Sequence, residues 1–514
     1  MNQNEKTIDL LQEETLSQKL IKKGFWLYLF SYLIAPGGYL IRLLISNSPE
    51  VSVADVGILY SIISLVNFLN VYNDLGLTES LQYFLPKFWI KKQYNQIKTT
   101  IWISLGVQFF TAVLIALGLW FGSDWLAAEY FQSPVAAKVL KYFCFYFLGI
   151  NLFQTLQSIF IAFQKTFDYQ FVEFVKIWAT VGFTFFCFFT DRGSIEWYSL
   201  NWLLGLGIGI LLAGLLYWKK YRAPLMQGSF ERDKPMLKQY RNYALWAFLG
   251  ANIGNVFGQV IQQMVMYFLG AEAAGYYANF LSLFFIGNIV IAPIMSLIFP
   301  MVSELIEKKD HQKLSNLISF FYSYFSVFTL SISTVLIIFG PEIASIIFGN
   351  KFKFSGELLT LGQIFLVFNI LSWFNFGCLG GMGKVKERVK IMGISTLLLF
   401  IVSIPFLLFW GNYGATLAFG IGYVLIFLGS YMAMKRLGIK MHLDWQFIIT
   451  NTIAFMVLGL RVFTEKEKHS FLSENRWFNF GQILGISILF YSILGVINYK
   501  KLFSLYKEIM HMKC

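Results

Sequence analysis

The 514-residue chain reads as an all-α membrane protein with fourteen transmembrane helices: two pseudo-symmetric six-helix lobes in a parallel repeat, plus two C-terminal helices. Three observations predict this. The composition is 57% hydrophobic and 19% aromatic with only 13% charged residues, about half the charge of an ordinary soluble chain. The basic residues alternate from one connection to the next. One stretch of about 30 residues occurs twice.

The spans follow from length. A 30 Å hydrocarbon core takes about 20 residues at 1.5 Å rise. Apolar runs of that size fall at 25–46, 54–74, 98–121, 138–163, 169–190, 196–218, 243–268, 275–300, 315–339, 356–379, 389–410, 413–434, 445–463 and 478–498. Of the 41 Lys and Arg residues, 30 lie in the termini and even-numbered connections. Nine lie in the odd ones, span ends being counted with the connection they adjoin, and Arg42 and Lys176 lie deep inside spans. By the positive-inside rule both termini are then cytoplasmic. The net charge of +13 therefore records topology and gives no reason to invoke nucleic acid.

The repeat begins at Val53-Ala54-Asp55-Val56-Gly57 and again at Ala271-Glu272-Ala273-Ala274-Gly275. Each copy runs through a proline, Pro86 or Pro300, to a basic turn, Lys91-Lys92-Gln93 or Lys308-Lys309-Asp310. A duplicated half inside a very apolar chain is the pattern of a two-lobed transporter with its site near the repeat interface. Residues 1–23 read as a cytoplasmic tail, 24–218 as the N-lobe and 219–241 as a basic linker. Residues 242–434 form the C-lobe, and 435–514 carry the last two spans and a cytoplasmic tail. In span 1, Ala35-Pro36-Gly37-Gly38 predicts a mid-membrane break, as Pro293 does in span 8.

Charge inside a span costs about 3 kcal/mol on insertion scales, so Arg42 in span 1 and Lys176 in span 5 need a wet cavity or a partner. Two readings stand. Lys176 pairs with Glu173 one turn away and Arg42 snorkels, or both cations line a cavity for an anionic substrate. Uncharged polar residues form stripes at helical spacing: Asn67, Asn70, Asn73 and Asp74 on span 2; Asn151, Gln154 and Gln157 on span 4; Asn255 and Gln259 on span 7. Such stripes either bond helices to one another or face water. Arg42, Lys176, Asn67, Asn70, Gln154, Gln157, Asn255 and Gln259 are the candidate substrate-binding residues. Glu173 and Asp74 are the candidate ion-coupling groups.

No enzymatic site is expected. The four cysteines and four histidines have no metal-ligand spacing, so no metal or cofactor is expected. Gly380-Gly381-Met382-Gly383-Lys384 resembles the end of a phosphate-binding loop but lacks its first glycine and its hydroxyl residue.

Asp74-Leu75-Gly76-Leu77, the Gly57 and Gly275 motifs, Pro300-Met301-Val302-Ser303-Glu304-Leu305 and the 6+6+2 arrangement together resemble the MOP superfamily. The closest resemblance is to the Wzx-type polysaccharide flippases. It implies translocation of a polyprenyl-diphosphate-linked oligosaccharide to the outer leaflet of a bacterial inner membrane by alternating access. Arg42 and Lys176 map onto the expected basic cavity. The implied partners are that lipid-linked substrate and the membrane lipids, with a glycan polymerase and glycosyltransferases alongside; a monomer suffices. A lipid II flippase or cation-coupled multidrug exporter of the same superfamily is the alternative, and a non-transporting assembly protein a second one.

Overall fold

A computed structural model describes residues 16–163, 165–190, 192–439 and 444–468, and between 478 and 499 residues 478–479, 481–489, 492, 495–496 and 498–499. Residues 1–15 of the expected tail at 1–23, part of the last span and the C-terminal tail after it lie outside the described residues, while residues 16–23 of the first tail form the start of a helix.

Helices account for nearly everything described. In order they are α1 (Leu16–Asn47), α2 (Val53–Asp74), α3 (Leu77–Ile90), α4 (Tyr94–Trp125), α5 (Pro134–Ala162), α6 (Thr166–Phe189), α7 (Ile195–Leu216), the short α8 (Arg222–Leu225) and α9 (Lys234–Phe284). Then come α10 (Ile286–Glu307), α11 (His311–Phe348), α12 (Lys353–Gly362), α13 (Leu366–Gly381), α14 (Val385–Arg436) and α15 (Trp445–Lys468).

Eleven segments among the described residues are long and apolar enough to cross a membrane. Two of them, Lys234–Ile289 and Val385–Arg436, run 56 and 52 residues, twice what one crossing needs. The first turns back at Gly270 (φ 85) and the second at Gly411 (φ 55), where only a glycine turns the chain back without a Cβ penalty. Counted as crossings, these helices supply thirteen of the fourteen predicted spans, and the last is described in part.

Two expectations about helix breaks are corrected. α1 runs through Pro36 without interruption. Its glycine serves packing instead: a Cβ at Gly37 would lie 2.6 Å from the Ile177 side chain of α6. α10 likewise continues past Pro293, and the break in that span comes earlier, at Phe285. The break in span 2 falls at Leu75 (φ 49) and Gly76 (φ 74), which separate α2 from α3.

The chain divides into two compact units, 1–259 and 260–514. In the first, a buried cluster of Leu81, Leu85, Ile97, Phe153, Phe160 and Leu206 ties α3, α4, α5 and α7 together. In the second, α15 packs on α11 through Val327, Phe447 and Phe455. Ile483, from the described part of the last span, joins Ile338 and Phe339 of α11.

The basic linker is strapped down rather than loose. Asn95 and Gln96 at the start of α4 donate to Glu231 and Asp233, each at 3.0 Å, and Lys98 donates to the Gly228 carbonyl at 3.0 Å. Both acidic residues of the linker are thereby occupied, and its basic residues remain at the surface.

Candidate functional site

The candidate residues of the first unit lie on helices that the membrane-length apolar runs already dictate, and their geometry follows from where each stripe points. α2 begins with a capping box. The Asp55 amide donates to Ser52 Oγ at 3.1 Å, and the Ser52 amide donates to Asp55 Oδ2 at 2.9 Å, which fixes the register of the stripe that follows.

From that register, α2 presents two polar faces. One meets the first limb of α9: Ser64 Oγ donates to Gln259 Oε1 at 2.7 Å, and Asn255 Nδ2 donates to the Asn67 and Phe68 carbonyls at 3.1 and 3.3 Å. The Asn67 side chain itself is exposed. The other face meets α5. Asn70 Nδ2 donates to Gln154 Oε1 at 2.9 Å, and Asn73 Nδ2 donates to Asn151 Oδ1. Asn70 Oδ1 is buried without a hydrogen-bond partner.

α5 hands the pattern on to α6. Gln157 Nε2 donates to Glu173 Oε2 at 2.9 Å, while the other oxygen of Glu173 accepts the Lys176 ammonium at 2.6 Å. Both side chains of this pair are largely buried, at 13% and 24% exposure. The ammonium also lies 4.7 Å from the centre of the Phe153 ring, and the methylene stem packs at Gly209 of α7. Lys176 thus forms an ion pair with Glu173, extended by a glutamine and an aromatic face.

Arg42 sits elsewhere, at the α1–α2 boundary, with its guanidinium carbon 3.5 Å above the centre of the Tyr60 ring. The pairing of Gly37 with Ile177 sets the register of α1 against α6. Arg42 is therefore farther along the bundle than Lys176 by on the order of 10 Å.

Asp74 closes α2 and caps α3. Its Oδ1 accepts from the Thr78 amide at 3.0 Å, from the Thr78 hydroxyl, and from Gln108 Nε2 at 2.7 Å. Gln108 in turn accepts from Thr155 Oγ1, and Thr111 donates to Asn73 Oδ1 at 2.7 Å. A closed network thus links α2, α4 and α5 through Asp74, Gln108, Thr155, Asn151, Asn73 and Thr111. Sequence reasoning missed Gln108, Thr111 and Thr155. The signal was there, since Gln108 and Thr111 stand three apart inside an otherwise apolar span and share a helix face.

The false phosphate-loop segment is a helix stop. Gly383 is left-handed (φ 71), and the Lys384 amide returns to the Leu379 carbonyl at 2.8 Å, a Schellman turn.

Residues 51–356, more than half of the chain, match the family described as "Polysaccharide biosynthesis protein". The chain belongs to that family. It is 22% identical over 465 residues to an uncharacterised membrane protein of Methanocaldococcus jannaschii, covering 86% of this chain and 88% of that one. Its fold is similar to that of the lipid II flippase MurJ in an inward closed conformation, with TM-score 0.74, 14% identity and coverage of 93% of this chain and 99% of the other. A multidrug resistance MATE family transporter of the MOP superfamily, in an inward-facing conformation, follows with TM-score 0.66, 13% identity and coverage of 79% and 95%. The fold is thus shared with these transporters, and the polysaccharide family match covers every candidate site residue except Arg42.

Proposed function

We propose that this chain is a flippase that moves a polyprenyl-diphosphate-linked oligosaccharide from the cytoplasmic to the outer leaflet by alternating access, for surface polysaccharide biosynthesis. The observation that carries this reading is the family match over 51–356, because the same fold serves transporters of different cargo. The lobes at 24–218 and 242–434 would rock about the linker at 219–241, with 435–514 as an addition. Both termini would lie in the cytoplasm of a cell with this protein in its inner membrane. No bond is made or broken in the cargo, so the chain is a transporter and no enzyme; its neighbours in the pathway would be glycosyltransferases and a polymerase.

The chemistry fits the cargo. A diphosphate leaves water only against cations and hydrogen-bond donors, and Arg42 and Lys176 are the cations that the first unit places inside its spans. Asn67, Asn70, Gln154, Gln157, Asn255 and Gln259 supply amide groups suited to sugar hydroxyls, while the polyprenyl tail stays in lipid. Glu173 already holds Lys176, so the incoming phosphate competes with a carboxylate. Glu173, which holds the ammonium, is therefore the first candidate for coupling transport to a proton or sodium gradient. Asp74, engaged in capping and in the Gln108 bond, is the second.

In proteoliposomes carrying a fluorescent polyprenyl-diphosphate oligosaccharide, Arg42→Ala and Lys176→Gln are expected to reduce flipping at least tenfold while the protein still inserts. Normal flipping by both variants sinks the cationic site. Glu173→Gln is expected to flip without regard to a proton gradient; unchanged gradient dependence removes that residue from coupling. The second reading, favoured by the likeness to a lipid II flippase over 99% of its length, predicts instead that lipid II is moved faster than the oligosaccharide in the same vesicles.

A further inference from the structure

A cavity of about 610 Å³ lies between the facing ends of α6 and α7, apart from every residue used above. Its walls are apolar, with Phe183 and Phe186 on α6 and Leu204 and Ile208 on α7. From Trp197 to Ile208 it runs eleven residues along α7, about 16 Å by helical rise. The polar groups at its floor are satisfied by each other, since Asn201 Nδ2 donates to Cys187 Sγ at 3.4 Å. Gly182, Phe186 and Leu204 are exposed, so the groove is open at membrane depth.

Its rim is different. Arg192 and Trp197 stand where the two helices meet the loop that joins them, the guanidinium 5.1 Å from the centre of the indole. Of the nearby carboxylates, Glu196 is held by Lys138 at 3.0 Å. Among the described residues Glu50 lies beside Gly193. A hydrocarbon-lined slot that opens to the bilayer loses dispersion contacts along its whole length unless a chain fills it. A cation at its aqueous end then selects the headgroup, as basic pockets between transmembrane helices do.

We infer that this groove is a binding site for one anionic phospholipid, with an acyl chain laid between α6 and α7 and the phosphate seated on Arg192. The inference does not rest on the proposed cargo, because it concerns a lipid of the surrounding bilayer and an interface outside the polar interior.

The full chain, carrying a benzophenone side chain in place of Phe186, is reconstituted in equal amounts of phosphatidylglycerol and phosphatidylcholine with matched acyl chains. After illumination the cross-linked lipids are quantified by mass spectrometry. Phosphatidylglycerol is expected to exceed phosphatidylcholine at least fivefold among the adducts, and Arg192→Ala to return the ratio to that of the bilayer. A Cβ at Gly182 meets nothing within 4 Å, so a side chain can start into the groove there, and Gly182→Phe should cut total adducts at least fivefold. Equal labelling of the two lipids in the parent chain overturns the proposal, as does a ratio that Arg192→Ala leaves untouched. Because Arg192 is exposed, its substitution tests the site even if the groove-filling variant folds poorly.

Discussion

Lys92 and Lys309 share a backbone conformation, φ 55 and φ 54, in the turns that close the two copies of the repeat. In one turn the Gln93 amide returns to the Phe88 carbonyl at 2.9 Å, and in the other the Asp310 amide returns to Leu305 at 3.0 Å. The beginnings of the copies already differ. The first opens on the Ser52–Asp55 capping box, whereas the second is joined to the preceding limb of α9 through the left-handed Gly270.

What each unit buries differs more. The first holds Asp74, Glu173 and Lys176 in bonded networks. The second bonds uncharged groups, with Tyr322 donating to Asn375 at 2.6 Å and Asn375 to Ser430 at 2.9 Å. It packs Phe280, Phe284, Phe419 and Tyr423 edge to face or tilted where α9 meets the second limb of α14. Duplication preserved the turns that set topology and left the interiors to diverge. The first unit holds a charged pair, Glu173 and Lys176, between its helices, while aromatic rings pack in both units.

The sharpest way to break this contrast is to unpair the ion pair of the first unit. Lys176→Ala strands Glu173 and is expected to cost about 3–5 kcal/mol in unfolding measured in mixed micelles. The double variant Glu173→Gln, Lys176→Gln should recover most of that stability. A single variant as stable as its parent means the pair is already hydrated and the interior of the first unit is wet. Next in size is Gly76→Ala. It adds a Cβ at a left-handed position and against the Ala244 backbone of α9, with an expected loss of about 3 kcal/mol from strain and overpacking together. Gly383→Ala, left-handed but with nothing within 4 Å of the added carbon, should lose only about 1 kcal/mol.

The networks themselves come third. Asp74→Ala leaves Gln108 and the start of α3 unsatisfied and should cost about 2 kcal/mol, against about 1 kcal/mol for Asn375→Ala in the second unit. Equal losses would mean that the charge on Asp74 adds nothing to its hydrogen bonds. The smallest effect should be shared by both copies. Lys92→Gly and Lys309→Gly each relieve a left-handed side chain, with a gain of about 1 kcal/mol, and a gain in one copy alone would show that the two turns are not equivalent.

Much of this was legible in the sequence because its signals are one-dimensional. Span length, the alternation of Lys and Arg, and the Gly and Lys-Lys punctuation of the repeat need no knowledge of neighbours. The stripes on spans 2, 4 and 7 were legible as faces, but their partners were not. Spacing places Asn70 and Gln154 on faces without saying that those faces meet. Gln108 and Thr111 were legible as a short shared face, but their importance arises only from Asp74, Thr155 and Asn73 on other helices. Pro36 misled for a related reason. A proline predicts a lost hydrogen bond, yet a helix pinned along its length by α6 stays straight enough to keep its path.

The left-handed lysines at the two turns carry a consequence for how the chain is made. A glycine at either position would relax the folded protein, but it would remove a fixed positive charge from the tip of a hairpin as it enters the bilayer. Dragging a lysine across hydrocarbon is opposed by about 3 kcal/mol on insertion scales, more than the roughly 1 kcal/mol of backbone strain that the residue imposes once folded. On that arithmetic Lys92→Gly and Lys309→Gly are expected to be more stable once folded yet more often inverted during synthesis, which labelling of a single cysteine in each turn from either side of the membrane would read.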